Sequence, residues 1–177
     1  MPEPAPITPE PTPTAPTKTT PARAKTAPLP SAPEKVAPAV GAGTDRIGSY
    51  LTQDEVDGAR GAYLADWSNG GEADTFARWI AAAMDTHAAR TPQQRAARGN
   101  LRGRAAERSG ASRSFSIPTS TVKRMRTAIT ADQNAGRWPS DSASCAEAIA
   151  LATEDARSRN GGTLPTPPAR LPNRLVR

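Results

Sequence analysis

Residues 114–129 read SFSIPTSTVKRMRTAI. Ser114, Phe115, Ser116 and Ile117 alternate polar with apolar, the period of two that turns one side of a strand toward a core. Pro118 has no backbone N–H to donate and ends the strand. Thr119 or Ser120 is then placed to cap a helix by accepting its first free N–H groups. Val122, Met125 and Ile129 follow at helical spacing and form one apolar face. So short a strand needs a partner to pair with.

The partner is found by setting YLTQDEVDGARGAYLADWSNG (50–70) over SIPTSTVKRMRTAITADQNAG (116–136), 66 residues later. Without a gap, Leu51 falls on Ile117, Val56 on Val122, Arg60 on Arg126, Tyr63 on Ile129, Asp66 on Asp132 and Gly70 on Gly136. Three extra residues in the second copy then bring TFARWIAAAM (75–84) over SCAEAIALAT (144–153), with Phe76 on Cys145 and Ile80 on Ile149. Each copy reads as strand, helix, turn, helix. In the first, the strand is RIGSYL (46–51), and Thr52 with Glu55 fits a capping box. Val56, Ala59 and Tyr63 make the helix face, Asp74 or Thr75 caps the second helix, and Phe76, Ile80, Ala83 and Met84 supply its core. In the second, Gly136 suits a helix C-terminal turn. After a polar loop, RWPSDSAS, the last helix is expected from about Ser144 to Arg159, lined by Ile149, Ala152 and Ala156.

The parity of the strands divides their side chains. With Phe115 and Ile117 inward, Ser112, Ser114 and Ser116 point outward. With Leu51 inward, Arg46, Gly48 and Tyr50 point outward. The expected fold is therefore mainly α, two tandem strand-helix-helix units sharing a short antiparallel ribbon with four or five helices. The expected segments are a disordered Pro/Ala/Thr-rich tail (1–44), a first unit (45–90), a basic and partly helical linker (91–112), a second unit (113–162) and an extended C-terminal tail (163–177). Twelve of the 19 prolines lie in residues 1–44, which is incompatible with regular structure there. Thr91-Pro92 is a good helix start, and the linker helix is expected to fray toward Arg108 at Gly99 and Gly103.

The chain has 177 residues and a net charge of +6, enough length for one domain with tails. Residues 90–126 hold ten basic residues and one acidic, whereas residues 45–89 hold three basic and eight acidic. A basic block of that kind suits an anionic partner. No apolar run approaches the roughly 18 residues of a membrane span, and MPEPAPITPEP lacks the charged-then-apolar pattern of a signal peptide. A single cysteine, Cys145, excludes an internal disulfide and fits a reducing cytoplasm. The expected location is the cytoplasm.

These residues resemble a known family. Strand, helix, turn and helix within about 45 residues is the ribbon-helix-helix pattern. More narrowly, residues 116–172 resemble the C-terminal centromere-binding domain of actinobacterial ParB-like partition proteins. The resemblance is carried by VKRMRTAI (122–129), the turn Gly136-Arg137-Trp138, the helix end ARSRNGG (156–162) and the proline-rich exit LPTPPARLPNRL (164–175). DEVDGARGAYLADWSNGG (54–71) resembles that family's first helix and turn. Family members carry one unit and pair two chains, whereas this chain carries two. The expected state is an intrachain pseudo-dimer, with a swapped homodimer as the competing arrangement.

The resemblance implies double-stranded DNA as partner, with the ribbon in the major groove reading base edges. Arg46 would pair with guanine, while Ser112, Ser114 and Ser116 would discriminate weakly. The second helices would meet phosphates at their N-termini near Thr75 and Ser144. Arg113, Lys123, Arg124 and the arginines of residues 95–108 would add nonspecific phosphate contacts. It also implies a ParA-type ATPase partner, met by Arg23 and Lys25 of the tail, and a location on the nucleoid or a plasmid. Alternatives are a ribbon-helix-helix repressor or antitoxin, and a helical protein-interaction adaptor with a basic face.

No other constellation suggests chemistry. His87 reads as a capping or surface residue, Cys145 as a small buried one, and Glu147 and Glu154 as surface carboxylates. No His/Cys cluster suits zinc, and NGG and SNGG have the wrong spacing for a phosphate loop. No catalytic residue, cofactor, metal or membrane contact is expected.

Overall fold

Among the described residues, two strands and five helices follow one another in the order β1 (Thr44–Thr52), α1 (Gln53–Ser68), α2 (Phe76–Ala88), α3 (Pro92–Arg98), β2 (Gly110–Pro118), α4 (Thr119–Asn134) and α5 (Asp141–Arg159). The computed structural model describes residues 43–98 and 109–177. The N-terminal tail with Arg23 and Lys25, and Arg102, Arg104 and Arg108 of the linker, lie outside the described residues. The described chain is mainly helical, with β1 and β2 forming one two-stranded antiparallel sheet. Among the described residues no helix is long and apolar enough to cross a membrane.

β2 and α4 begin and end 66 residues after β1 and α1, the same offset that aligns the two halves of the sequence. The correspondence reaches single hydrogen bonds in the turns. Gly71 N–H donates to Asp66 O and Gly70 N–H to Trp67 O. Arg137 N–H likewise donates to Asp132 O and Gly136 N–H to Gln133 O. Both turns thus close their helices with the paired bonds of a Schellman motif. Gly70 and Gly136 take the positive φ this requires, 92° and 84°.

The strand register carries the same relation. Gly48 lies opposite Ser114, with Thr44 opposite Pro118 and Thr52 opposite Gly110 at the ends. Gly48 and Ser114 are also equivalent under the 66-residue offset. In an antiparallel pair of identical strands only the residue on the two-fold axis faces its own copy. A pseudo-two-fold axis therefore passes between Gly48 and Ser114. Both strands are longer than the sequence pattern suggests, because Thr44, Asp45 and Gly110–Ser112 join the ladder without an apolar alternation to mark them.

The ribbon's inner face buries Ile47, Leu51 and Ile117 and half-buries Phe115. Above it, α1 packs against α5 and α4 against α2, so each first helix is covered by the second helix of the other half. Val56, Ala59 and Tyr63 meet the core from α1, and Val122, Met125 and Ile129 from α4. Trp79, Ile80 and Met84 come from α2, and Cys145, Ile149 and Ala156 from α5. Phe76 joins the halves, its ring 5.7 Å from Tyr63 and 6.2 Å, edge-on, from Phe115 of β2. Neither half has a closed core alone. Burial at roughly 25 cal/mol per Å² of apolar surface therefore couples the folding of one half to that of the other.

Two helix starts differ from expectation. Thr52 caps α1 in the expected capping box, its hydroxyl accepting from Glu55 N–H and the Glu55 carboxylate accepting from Thr52 N–H. α4, however, has Pro118 at its cap position with no side-chain bond, in place of Thr119 or Ser120. The ribbon runs directly into the helix there, and Thr119 N–H donates to Gly43 O at 2.8 Å across the strand pair. A backbone carbonyl has taken the role of the cap.

The second difference concerns Ser144. α5 starts at Asp141 and is capped by Ser140, whose hydroxyl accepts from Ala143 N–H at 3.1 Å. Ser144 is a buried first-turn residue whose N–H bonds Ser140 O inside the helix. Matching Ser144 to Thr75 misplaced the helix start, because α5 carries an extra turn that α2 lacks. Ser140-Asp141 begins that turn, with the acidic residue beside the helix's positive end.

The C-terminal segment is extended but not free. Leu164, Leu171 and Leu175 pack against the core. Leu175 N–H donates to Asp74 O, and Arg174 pairs with the Asp74 carboxylate. The Arg177 guanidinium lies 4.4 Å over the Trp67 ring. Gly61 permits this seating, since a Cβ there would stand 2.6 Å from Pro165 O.

Candidate nucleic-acid interface

The ribbon's outer face gathers the residues that strand parity assigns to it. Arg46 pairs with Ser116, Gly48 with Ser114 and Tyr50 with Ser112, and all six are exposed. The face is narrow and polar, and Ser142 of α5 reaches its edge, its hydroxyl accepting from Tyr50 N–H at 3.3 Å. Arg46 is its one charged side chain. Tyr50 does not stand free of the ribbon: its ring lies over Gly110, and its hydroxyl accepts from Gly110 N–H at 3.0 Å. Thr44, exposed opposite Pro118, extends the same face. It went unnoticed in the sequence because nothing apolar marks the first turn of the strand.

The flanking residues divide. Lys123 is exposed in the second turn of α4. Arg113 is exposed but lies on the inward parity of β2, and its guanidinium donates to Gln53 Oε1 at 3.2 Å. Arg124 is committed to a fork on Asp85 of α2, with both bonds at 2.8 Å. It joins α4 to α2 rather than standing free for a phosphate. Thr75 does cap α2, accepting from Arg78 N–H at 3.3 Å. The neighbouring Asp74 carboxylate is held well below the usual range by hydrogen bonds from Arg78 and Arg174 that outweigh its burial. An anion at this helix start would meet that carboxylate.

The two described linker arginines are both engaged with carboxylates. Arg95 is buried, about 2% exposed, and so is its partner Asp132. Its Nε donates to both Asp132 oxygens at 2.9 and 3.1 Å, and its other nitrogens reach Ala88 O, Arg90 O and Ala128 O. Arg95 fixes α3 to the ends of α2 and α4 and is withdrawn from any phosphate. Arg98 lies 3.6 Å from Asp155.

Asp132 also accepts from Arg137, which bridges on to Glu147 of α5. His87 lies beyond, buried, with Nε2 3.6 Å from Glu147. The sequence pattern suggests a capping or surface place for His87 and a surface one for Glu147. Both are drawn in because the two halves cross here and cover each other's helix faces. Burial pushes the Glu147 carboxyl up, but His87 and Arg137 beside it pull it further down, so it sits below the usual range. Trp138, next in the turn, is 76% exposed.

Comparison with protein-family models, with curated proteins and with solved structures returned no match.

Proposed function

We propose that this chain is a DNA-binding protein that inserts the β1–β2 ribbon into the major groove. On this reading it is a duplicated ribbon-helix-helix protein of the ParB-like type, marking a centromere-like site for a ParA-type ATPase in plasmid or chromosome segregation. The observation that carries the reading is the coincidence of repeat and register at Gly48 and Ser114. A chain that folds two strand-helix-helix halves about such an axis has the form of a two-chain ribbon dimer joined by a linker. The exposed, polar outer face suits a groove whose base edges offer donors and acceptors. The helix cores behind it hold the ribbon rigid.

The seating of the C-terminal segment favours partition or repression over an antitoxin. Leu164, Leu171 and Leu175 are used against the protein's own core, so these leucines are not offered to a toxin. Partition is preferred over repression for the long tail with Arg23 and Lys25.

The test is a mobility shift with duplex DNA flanking the gene, over a range of salt. Binding should weaken by orders of magnitude between about 50 and 200 mM salt if several phosphates are neutralised. Absence of a shift at low salt would retire the reading. Stimulation of the cognate ATPase, lost in Arg23→Ala/Lys25→Ala with DNA binding intact, would separate partition from repression.

A further inference from the structure

The two halves share a backbone plan but not an outer face, and we infer that a single chain reads a non-palindromic DNA site, with its guanine contact at the Arg46 end. This rests on the DNA-binding reading above and goes beyond it.

The pseudo-axis between Gly48 and Ser114 makes the comparison definite. Under the 66-residue offset Arg46 corresponds to Ser112, and Tyr50 to Ser116. The register sets Arg46 beside Ser116 at one end and Tyr50 beside Ser112 at the other. A two-chain ribbon would present the same pair at both ends, and a palindromic site answers that symmetry. Here one end offers a guanidinium with a hydroxyl. The other offers a phenol, folded onto Gly110 by its hydrogen bond, with a hydroxyl. Only the guanidinium can make the bidentate contact to guanine O6 and N7.

The flanks reinforce the difference. β2 ends beside Arg46 and runs straight into α4, whose early residues include Ser120 and Lys123, both exposed. β1 ends beyond Tyr50 and runs into α1, where the corresponding residues are Asp54 and Asp57. A phosphate approaching the first flank meets a lysine, and one approaching the second meets the exposed Asp54 carboxylate, with Asp57 behind it already paired with Arg60 at 3.6 Å. Two residues run the other way: Asp45 sits at the Arg46 end, and Arg113 lies opposite Ser49. Both belong to the inward parity of their strands, and Arg113 is held by Gln53. Arg46 therefore keeps the outer face polar in one direction.

The experiment is selection of a randomised duplex library by the full chain at low salt, with Arg46→Ala and Ser112→Arg selected in parallel. The expected wild-type consensus has a fixed guanine at one end and no mirror-image partner. Arg46→Ala should relax that position by roughly tenfold or more. Ser112→Arg, which places the arginine at the equivalent position, should add a guanine at the opposite end and make the consensus palindromic. A palindromic wild-type consensus, or an Arg46→Ala consensus that keeps the guanine, overturns the inference while leaving DNA binding intact. No enrichment at low salt overturns the DNA-binding reading, and this inference with it.

Discussion

Arg95 of α3 and Asp132 of α4 form an ion pair from which water is excluded, each side chain about 2% exposed. Asp132 stands 66 residues after Asp66, and the two copies use the position differently. Asp66 accepts from the Trp79 indole at 2.8 Å and from Arg159. Asp66 thus ties α1 to its own half's α2 and to α5 of the other half, while Asp132 ties down the linker.

Removing one member of the Arg95–Asp132 pair leaves a buried charge without compensation. Asp132→Ala is expected to cost about 3–5 kcal/mol, read as a shift of the urea midpoint at constant slope. Replacing both, as Arg95→Met/Asp132→Leu, should cost clearly less. If the double variant is as damaged as the single one, the packing of the carbon chains dominates rather than the charge.

The contact between Gly61 and the C-terminal segment makes a prediction of sign. In the full chain, Gly61→Ala drives a Cβ against Pro165 O and is expected to destabilise by about 1–3 kcal/mol, as overpacking does. In a chain ending at residue 162 the obstacle is gone. There the same change is expected to stabilise by up to about 1 kcal/mol, because alanine is the better helix former. Thermal unfolding of the four proteins closes the cycle. Equal effects in both backgrounds would mean that the segment does not sit on Gly61.

Glu147 sets a pH dependence. Its folded-state pKa lies below the ordinary value of 4.5 because His87 and Arg137 outweigh its burial. A carboxyl so lowered binds fewer protons folded than unfolded. Its stabilisation is therefore fully present above the unfolded value and is lost as pH falls through the folded one. Unfolding measured from pH 6 down to pH 3 should show a steeper loss for the wild type than for Glu147→Gln. Parallel curves would assign the acid limb to other carboxylates, Asp74 first, which is also lowered.

The pairing of β1 with β2 inside one chain predicts a monomer. Light scattering on the full chain across the micromolar range should give a constant mass of about 18.5 kDa. A mass near twice that, unchanged on dilution, would point to exchange of halves between two chains.

The framework was legible because it is periodic. Leu51, Ile117, Val56 and Val122 announce strand and helix faces, and the repeat fixes which strand pairs with which. Four features were not legible, each for a physical reason. The cap of α4 is a backbone carbonyl from residue 43, which no side-chain signature records. The start of α5 lies in a serine-rich stretch where several residues cap equally well. The burial of Arg95 and His87 depends on where the halves cross, and that is set by tertiary packing. The commitment of Arg124 to Asp85 arises from two residues 39 apart in sequence. The outer face of the ribbon was legible from parity, since alternation alone decides which side chains leave the core. Its flanking cations were not, because charge in a sequence does not say which carboxylate will claim it.

DNA binding by the outer face of the ribbon is tested most directly by comparing outward changes on β1 and β2 with a change at the Arg124–Asp85 fork that joins α4 to α2. Affinity for the flanking duplex would be measured by mobility shift for the wild type, Arg46→Ala, Ser114→Ala/Ser116→Ala and Arg124→Ala, with folding checked by thermal unfolding. Arg46→Ala is expected to lose roughly tenfold or more in affinity, the serine pair less, and Arg124→Ala to melt at a lower temperature with little change in affinity once folded. Unchanged binding by Arg46→Ala and the serine pair, with Arg124→Ala abolishing it, would move the interface off the ribbon.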